Sequence, residues 1–245
     1  MPSTNILRNG TVVVPLAGDS MRFQHVARVP KYLLSIKGRL MIEWALDNIN
    51  VEPEQLVFVL RNDHQEEFDV KNIFQKLFGK SIQTVLVNRT DGAAQTVLCS
   101  KALINNSNPL VIRDGDCIID APIGMTEGIS GQITYYSPAR ESIEAQSNKS
   151  YVSFDSKGNV LKIREKQIIS KHAICGMYVF RNGDSFIRLA EEAIRDKRKS
   201  KGEYYIAPLF QRMMDIGENV IAVPARKVID LGSPENVSRF ETYGE

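Results

Sequence analysis

Two hydrophobic periods alternate along the first half of this chain, and few folds accommodate that. Four apolar runs, TVVVPLA (11–17), QLVFVL (55–60), SIQTVLV (81–87) and NPLVIRD (108–114), read as strands buried on both faces. Between them the apolar residues fall at helical spacing. One stripe is Leu40, Met41, Trp44, Ala45 and Ile49, and another is Val70, Phe74, Leu77 and Phe78. A third is Ala93, Val97, Leu98, Ala102 and Leu103. The spacing predicts helices over 40–49, 65–78 and 93–104. A β-α-β-α-β-α-β rhythm calls for a doubly wound sheet with right-handed crossovers, and ligands in such sheets bind beyond the carboxyl ends of the strands.

From about residue 131 the pattern changes. GQITYYS, SYVSFDS, NVLKIRE and AICGMYVF are short strands parted by turn residues, and DSKGN (155–159) reads as a hairpin. Helices are expected over 184–195 and 203–216, then a strand over 219–224, a turn around DLGSP and a C-terminal helix. No repeat or long linker interrupts the 245 residues. The expected fold class is α/β: a Rossmann-like mixed, mostly parallel sheet flanked by helices, in a single domain 1–245 whose C-terminal half is β-rich.

Composition narrows the function classes. The net charge is +2, which gives no support to a general nucleic-acid binder. Cys99, Cys117 and Cys175 form no C-x-x-C pair and read as free thiols of a reducing cytosol. His25, His64 and His172 lack the spacing of a zinc hydrolase. No apolar stretch reaches the roughly 18 residues of a membrane span, and the polar N-terminus has no signal-peptide core. The expected location is the cytoplasm. The basic run RDKRKSK (195–201) suits a helix C-terminus and a solvated face.

Several loops carry chemistry-bearing residues. The first strand leads into Leu16-Ala17-Gly18-Asp19-Ser20-Met21-Arg22. This loop fits an anion-binding nest with a forked cationic donor, or a tight turn. It is neither a P-loop nor a G-x-G-x-x-G fingerprint, so a nicotinamide dehydrogenase is disfavoured. Lys31 follows a proline and fits an electrostatic catalyst or a solvated lysine. Asp114 and Asp116 flank Gly115 at a strand end, where they suit either Mg²⁺ or a capped turn. Glu165-Lys166 and Asp230 also end strands. Ser233 and Pro234 open the last helix as N-cap and first helical residue. Taken together these groups are what nucleotidyl transfer to a phosphate needs. An α-phosphate is held, its charge is neutralised, and an acceptor phosphate is aimed in line with departing pyrophosphate.

These motifs resemble, in order and over nearly the whole chain, those of the sugar-phosphate nucleotidylyltransferases, in a glycan- and capsule-biosynthesis branch. VVVPLAGDSMRF is similar to the family's I-P-M-A-G-x-G-S-R-F, and VPKYLLSIKGRLMIEWAL to its P-K-P-L-x-x-V-x-G-K-P-M-I-x-W. TDGAAQTVL (90–98) resembles T-x-G-A-A-x-T-V. GNVLKIREKQIISKHAICGMYVF, GEYYIAPLFQRMMDIGENV and DLGSPENVSRF resemble the later motifs. The resemblance implies a nucleotide-binding half over about 11–130 and an acceptor-binding half over about 131–245. It implies that Leu16, Ala17, Gly18, Asp19 and Ser20, with Arg22, wrap a triphosphate and that Lys31 contacts the reacting phosphates. Gly92 and Gln95 would lie near the base. Asp116 and Asp230 would bind Mg²⁺. Glu165 and Lys166 would hold the acceptor, Lys166 by its phosphate, and Gly176 and Tyr178 would line its pocket.

The expected substrates are a nucleoside triphosphate and a phosphorylated small molecule, with a homo-oligomer as a possible assembly. The chain departs from the pattern at Ser20, a glycine position, and at Met21, Tyr32, Leu40, Gln167 and Ser233. Two other readings stay open: a cytidylyltransferase acting on a non-sugar phosphate such as phosphocholine, and a non-catalytic nucleotide-sugar-binding regulator. The length leaves no room for the β-helix acetyltransferase domain of larger relatives, and none is expected.

Overall fold

The computed structural model describes residues 6–19, 21–23, 25, 28–138 and 146–244. Its centre is β1 (Thr11–Leu16), a run of β-branched residues whose Val12, Val13 and Val14 are fully buried. β1 pairs in parallel with β4 (Leu56–Arg61) on one side and β6 (Leu110–Arg113) on the other. β4 pairs in parallel with β5 (Gln83–Val87). The β6 ladder stops at Val13↔Ile112. The Thr11 N–H donates to Pro109 O, so position 15 also faces β6, beyond the end of that ladder. Pro15, which has no N–H to offer, is therefore tolerated in a central strand. The chain opens into a cleft at this point.

The C-terminal half joins the same sheet. β11 (Ala173–Phe180) is buried throughout and runs antiparallel to β6. On its other edge it pairs with β8 (Gly131–Tyr136), which pairs in parallel with β12 (Val220–Pro224). β9 (Tyr151–Phe154) and β10 (Val160–Arg164) extend the sheet, so the strand order reads β10-β9-β11-β6-β1-β4-β5. Alternate residues feed two cores. Val13, Val57 and Ile112 face helices Ala93–Leu98, Gly183–Arg195 and Ala207–Asp215. Val12, Val14, Phe58 and Val111 face Met41–Leu46 and Val70–Phe78. The expected α/β class, with a mixed sheet flanked by helices, is what the chain adopts.

Local details differ from the periodicity. The helix expected over 65–78 is broken at Asp69, which is left-handed at φ 48° and ψ 48°. The one expected over 93–104 is interrupted at Cys99–Ser100, between Ala93–Leu98 and Lys101–Ile104. The helix expected from 203 begins at Ala207, because 203–206 packs across another loop. β2 (Ser35–Ile36) and β3 (Arg39–Leu40) form a hairpin around Lys37-Gly38, both at positive φ, as a type I′ turn requires.

One further ribbon matters most for function. β7 (Cys117–Asp120) pairs antiparallel with β13 (Lys227–Asp230), which sets Asp230 opposite Cys117. It rests on Phe23, Met41, Leu231 and Phe240. Cys99 is exposed and Cys117 and Cys175 are buried, all three as free thiols. No helix among the described residues is long and apolar enough to cross a membrane.

Candidate active site

The carboxyl ends of β1 and β6 open into a cleft of about 750 Å³ lined by both halves of the chain. β6 ends at Arg113 and β7 begins at Cys117, which leaves Asp114-Gly115-Asp116 as an acidic turn at the cleft floor. The β7–β13 ribbon brings Asp230 to the same place, and the Leu231 N–H donates to the Asp116 backbone carbonyl at 2.8 Å. A Cβ built on Gly232 would lie 2.9 Å from Asp230 Oδ1, 3.1 Å from Asp116 Oδ2 and 3.8 Å from Arg22 Nη1. Two carboxylates and a guanidinium therefore converge on one point. Arg22 is held there by donating to Gly232 O at 3.1 Å.

Two like charges no more than about 6 Å apart repel by roughly 3 kcal/mol or more at an effective dielectric of about 20. Lysines offset this repulsion. Lys31 Nζ lies 2.5 Å from Asp116 Oδ2, and Lys149 Nζ lies 2.7 Å from Asp230 Oδ2. Burial pushes the Lys31 pKa down, but Asp116 more than offsets it and the net shift is upward. Burial likewise opposes the charged form of Asp116, and Lys31 outweighs it, holding that carboxyl below its usual range. Asp114 behaves oppositely: burial first, then repulsion from Asp116, pushes it up to about 7. Behind the turn lies Arg113, fully buried, with Nη2 donating to Ala45 O and Cys117 O at 2.8 Å each. It ties the acidic turn to the helix Met41–Leu46.

Lys31 begins a 3₁₀ turn, Lys31–Leu33, directly after Pro30. The next residue, Tyr32, departs from the family pattern and is 2% exposed. Its hydroxyl meets His64 Nδ1 at 3.0 Å and its ring packs edge-on to Phe74. Replacing Tyr32 with phenylalanine is expected to cost about 1 kcal/mol in urea denaturation. Burial lowers the His64 pKa below 6.5, with Asp63 acting the other way. A lowered folded-state pKa means that protonation opposes the fold, so this contribution is present above 6.5 and lost as pH falls through the lowered value. A His64→Gln chain should therefore lose less stability than the parent between about pH 7.5 and about pH 5.5. An identical pH slope in the two chains would contradict the assignment.

The opposite wall belongs to the C-terminal half. Glu165 and Lys166 follow β10, and Lys166 takes a left-handed φ of 51°. Burial raises the Glu165 pKa, and its Oε2 accepts from Ser150 Oγ. Lys166 Nζ donates to the Tyr205 hydroxyl and lies 4.5 Å from that ring's centroid. Gly176 sits in β11 at φ 77°, where the register with β8 shifts. Tyr178 is buried and stacks on Phe210 with centroids 5.8 Å apart.

Of the residues singled out in the sequence, Leu16, Ala17, Gly18, Asp19, Arg22, Lys31, Gly92, Asp116, Glu165, Lys166, Gly176, Tyr178 and Asp230 all line this one cleft. Ser20 lies outside the described residues. Gln95 does not line the cleft, because its Oε1 accepts the Asp91 N–H at 2.6 Å and caps its own helix. The Asp19 carboxylate is taken up by Arg61 at 2.8 Å and Arg89 at 2.5 Å, so it anchors the loop. Gly92 is close-packed: a Cβ there would meet the Tyr204 backbone N and O at 2.7 Å.

Arg61, Arg89, Arg113, Lys149 and Tyr205 were not found by sequence reasoning. Arg61 ends β4 and Arg89 follows β5, so the strand-end rule that drew attention to Asp116 could have found both. Lys149 and Tyr205 sit in no pattern of their own. Among the described residues no group of three or more His, Cys, Asp or Glu side chains is placed to hold a metal ion.

Comparison with known proteins bears on this cleft. The family model described as nucleotidyl transferase matches residues 18–242. The bifunctional protein GlmU of Mycobacterium bovis is 29% identical over 114 residues, covering 45% of this chain and 23% of that protein. The 2-C-methyl-D-erythritol 4-phosphate cytidylyltransferase of Pseudoalteromonas atlantica is 32% identical over 108 residues, 42% of each chain. The chain thus spans less than half the length of either curated relative. A nucleoside-diphosphate-sugar pyrophosphorylase from Vibrio cholerae superposes with a TM-score of 0.79 at 21% identity, covering 95% of this chain and 100% of that one. That likeness establishes the shared fold.

Proposed function

This chain belongs to the nucleotidyl transferase family, and we propose that it transfers a nucleotidyl group from a nucleoside triphosphate to a sugar 1-phosphate, releasing pyrophosphate. An acceptor phosphate oxygen forms a bond to the α-phosphorus. The bond from the α-phosphorus to the bridging oxygen of the leaving pyrophosphate breaks, and pyrophosphate carries away that electron pair.

The observation that carries this reading is the convergence of Arg22, Lys31, Asp116 and Asp230 across a cleft from Glu165 and Lys166. Such catalysis is positioning and electrostatics, and needs no side-chain nucleophile. The backbone around Gly18 is open, since a Cβ there would touch nothing within 4 Å, which suits a phosphate drawn close to the chain. Arg22 and Lys31 would neutralise the triphosphate, and Lys166 would hold the acceptor phosphate. Asn148, Ser150, Glu165 and Glu203 bring hydrogen-bonding groups to the acceptor wall, beside the rings of Tyr136, Tyr178 and Tyr205.

The donor chemistry fits a magnesium ion, which binds through one or two carboxylates and completes its shell with water and substrate phosphate. Asp116 and Asp230 would hold it. When bound, the ion supplies charge neutralisation on the phosphates.

Purified protein given each nucleoside triphosphate, Mg²⁺ and a panel of sugar phosphates and phosphocholine is expected to release pyrophosphate with one pairing. Release with phosphocholine alone would move the acceptor assignment to the cytidylyltransferase reading. No release with any pairing, and no rise in melting temperature with any triphosphate, would refute the proposal.

A further inference from the structure

Lys166 is a flexible side chain on a strained turn. Its backbone is left-handed at φ 51°, a conformation that residues with a side chain seldom adopt. Its four-carbon stem would let an ammonium left to itself sample many positions over the cleft. In this structure it occupies one. Nζ donates to the Tyr205 hydroxyl and sits 4.5 Å from the centre of the same ring. Among the described residues that hydroxyl is its one hydrogen-bond partner.

Tyr205 is mounted firmly on both sides. Before it, the Tyr204 N–H donates to Asp91 O at 2.7 Å, and the Tyr204 carbonyl accepts from the Ala94 N–H at 2.9 Å. The Tyr204 side chain is buried in the core. After it, Ile206 is buried and the helix Ala207–Asp215 begins. The hydroxyl is fixed as well. A phenol donates one proton and accepts through its lone pairs. The proton goes to Glu203, and a lone pair receives Lys166. Burial first, and then the bond to Glu203, raise the Tyr205 pKa above its ordinary value, so the phenol keeps that proton near neutral pH.

We propose that Tyr205 is a positioning residue for the acceptor: it holds the Lys166 ammonium at the cleft wall, where the acceptor phosphate binds. The inference rests on the nucleotidyl-transfer reading and adds the group that orders its acceptor cation. Lys166, Tyr205 and Glu203 all line the cleft. An ammonium has three donors. Tyr205 takes one and leaves two for phosphate oxygens, so the contact persists when the acceptor arrives. A cation ordered in advance binds its anion more tightly, because the ordering is complete before the encounter.

The test uses the full chain and inorganic phosphate as the probe, titrated calorimetrically. Lys166→Met identifies the share of phosphate binding that belongs to this site. Tyr205→Phe keeps the ring beside the ammonium and removes only the hydroxyl. It is expected to weaken that binding about fivefold. In a Lys166→Met background the same change should have no effect. With the sugar phosphate that supports pyrophosphate release, Tyr205→Phe should raise the acceptor KM by a similar factor. The kcat and the triphosphate KM should stay within about twofold of the parent. A tyrosine that served only the fold would move the melting temperature without singling out this KM.

Unchanged phosphate affinity in Tyr205→Phe overturns the proposal. So does a loss that persists in the Lys166→Met background, or a rise in both KM values together. If Lys166→Met binds phosphate as the parent does while a triphosphate still raises the melting temperature, this inference fails and the nucleotidyl-transfer reading stands. If no triphosphate raises it and no pyrophosphate is released, both fail.

Discussion

Pyrophosphate release by an Asp116→Asn chain is expected to fall by about 10²- to 10³-fold. Asp116 sits at the floor of the cleft, bonded to Lys31 at 2.5 Å and within about 3 Å of the point where Arg22 and Asp230 meet. Asparagine keeps the shape and the backbone carbonyl that receives Leu231 N–H. It removes the anion that raises the Lys31 pKa, and it removes a hard oxygen from the two-carboxylate pair. The loss should therefore appear in kcat more than in protein stability. A pyrophosphate-coupled assay beside a melting curve separates the two. The same chain decides against the regulatory reading. A nucleotide-binding regulator would keep its triphosphate affinity with or without Mg²⁺ after this change, whereas an enzyme should lose turnover. Turnover within about threefold of the parent would remove Asp116 from the reaction centre.

Gly176→Ala is expected to destabilise the fold. A Cβ at this position would lie 2.2 Å from Asp114 Oδ2 and 2.7 Å from its Cγ, well inside contact distance. The residue also sits at φ 77°, where a side chain is strained. Asp114 is poorly placed to move aside, because its N–H donates to the Gly176 carbonyl at 2.9 Å. Backbone strain and overpacking together should cost about 2 to 4 kcal/mol. For a chain of this size that lowers Tm by about 5 to 10 °C. The displaced turn carries Asp116 with it, so activity should fall as well. Gly158→Ala separates strain from steric conflict. It has a similar φ of 85°, but its Cβ would meet only Ala222 O at 3.4 Å. It should cost clearly less. Equal losses at the two positions would mean that the Asp114 contact is not what demands glycine at 176.

Much of this protein is legible along the chain, for identifiable reasons. β1, β4 and β6 were visible because a strand buried on both faces is a continuous apolar run, and that signal needs no partner to be read; β5 reads the same way, yet it is an edge strand with Gln83 and Leu86 exposed, so the expectation of two buried faces fails there. The helix expected over 184–195 was visible because its stripe, Phe186, Ile187, Ala190, Ala193 and Ile194, lies on one face and meets one core. Breaks inside helices were not visible. The left-handed turn at Asp69 and the interruption at Cys99–Ser100 preserve the apolar spacing on either side, so periodicity runs through them. The start of the helix at Ala207 was also hidden. Tyr204 has the apolar character of a helix residue, yet its backbone pairs with Asp91 and Ala94.

The candidate site divides the same way. Asp116, Asp230, Glu165 and Lys166 stood out because each ends a strand. Gln95 stood out by its place in a motif, although its side chain turns back to its own helix. Lys149 left no mark, since a single lysine before a strand looks like any solvated one. Arg113 fell inside the expected strand 108–114 without being singled out, and its burial behind two carboxylates follows only from packing.

The sequence by itself determined the α/β class, the order of the elements and most of the charged residues that line the cleft, because hydrophobic period and strand-end chemistry are local properties. Only the tertiary structure decided which charges meet. Asp230 reaches Asp116 through the β7–β13 ladder, Lys31 crosses to Asp116 and Lys149 to Asp230, and Asp19 is shared by Arg61 and Arg89. Those pairings depend on register and side-chain reach between segments far apart in the chain, and no local pattern of residues encodes them.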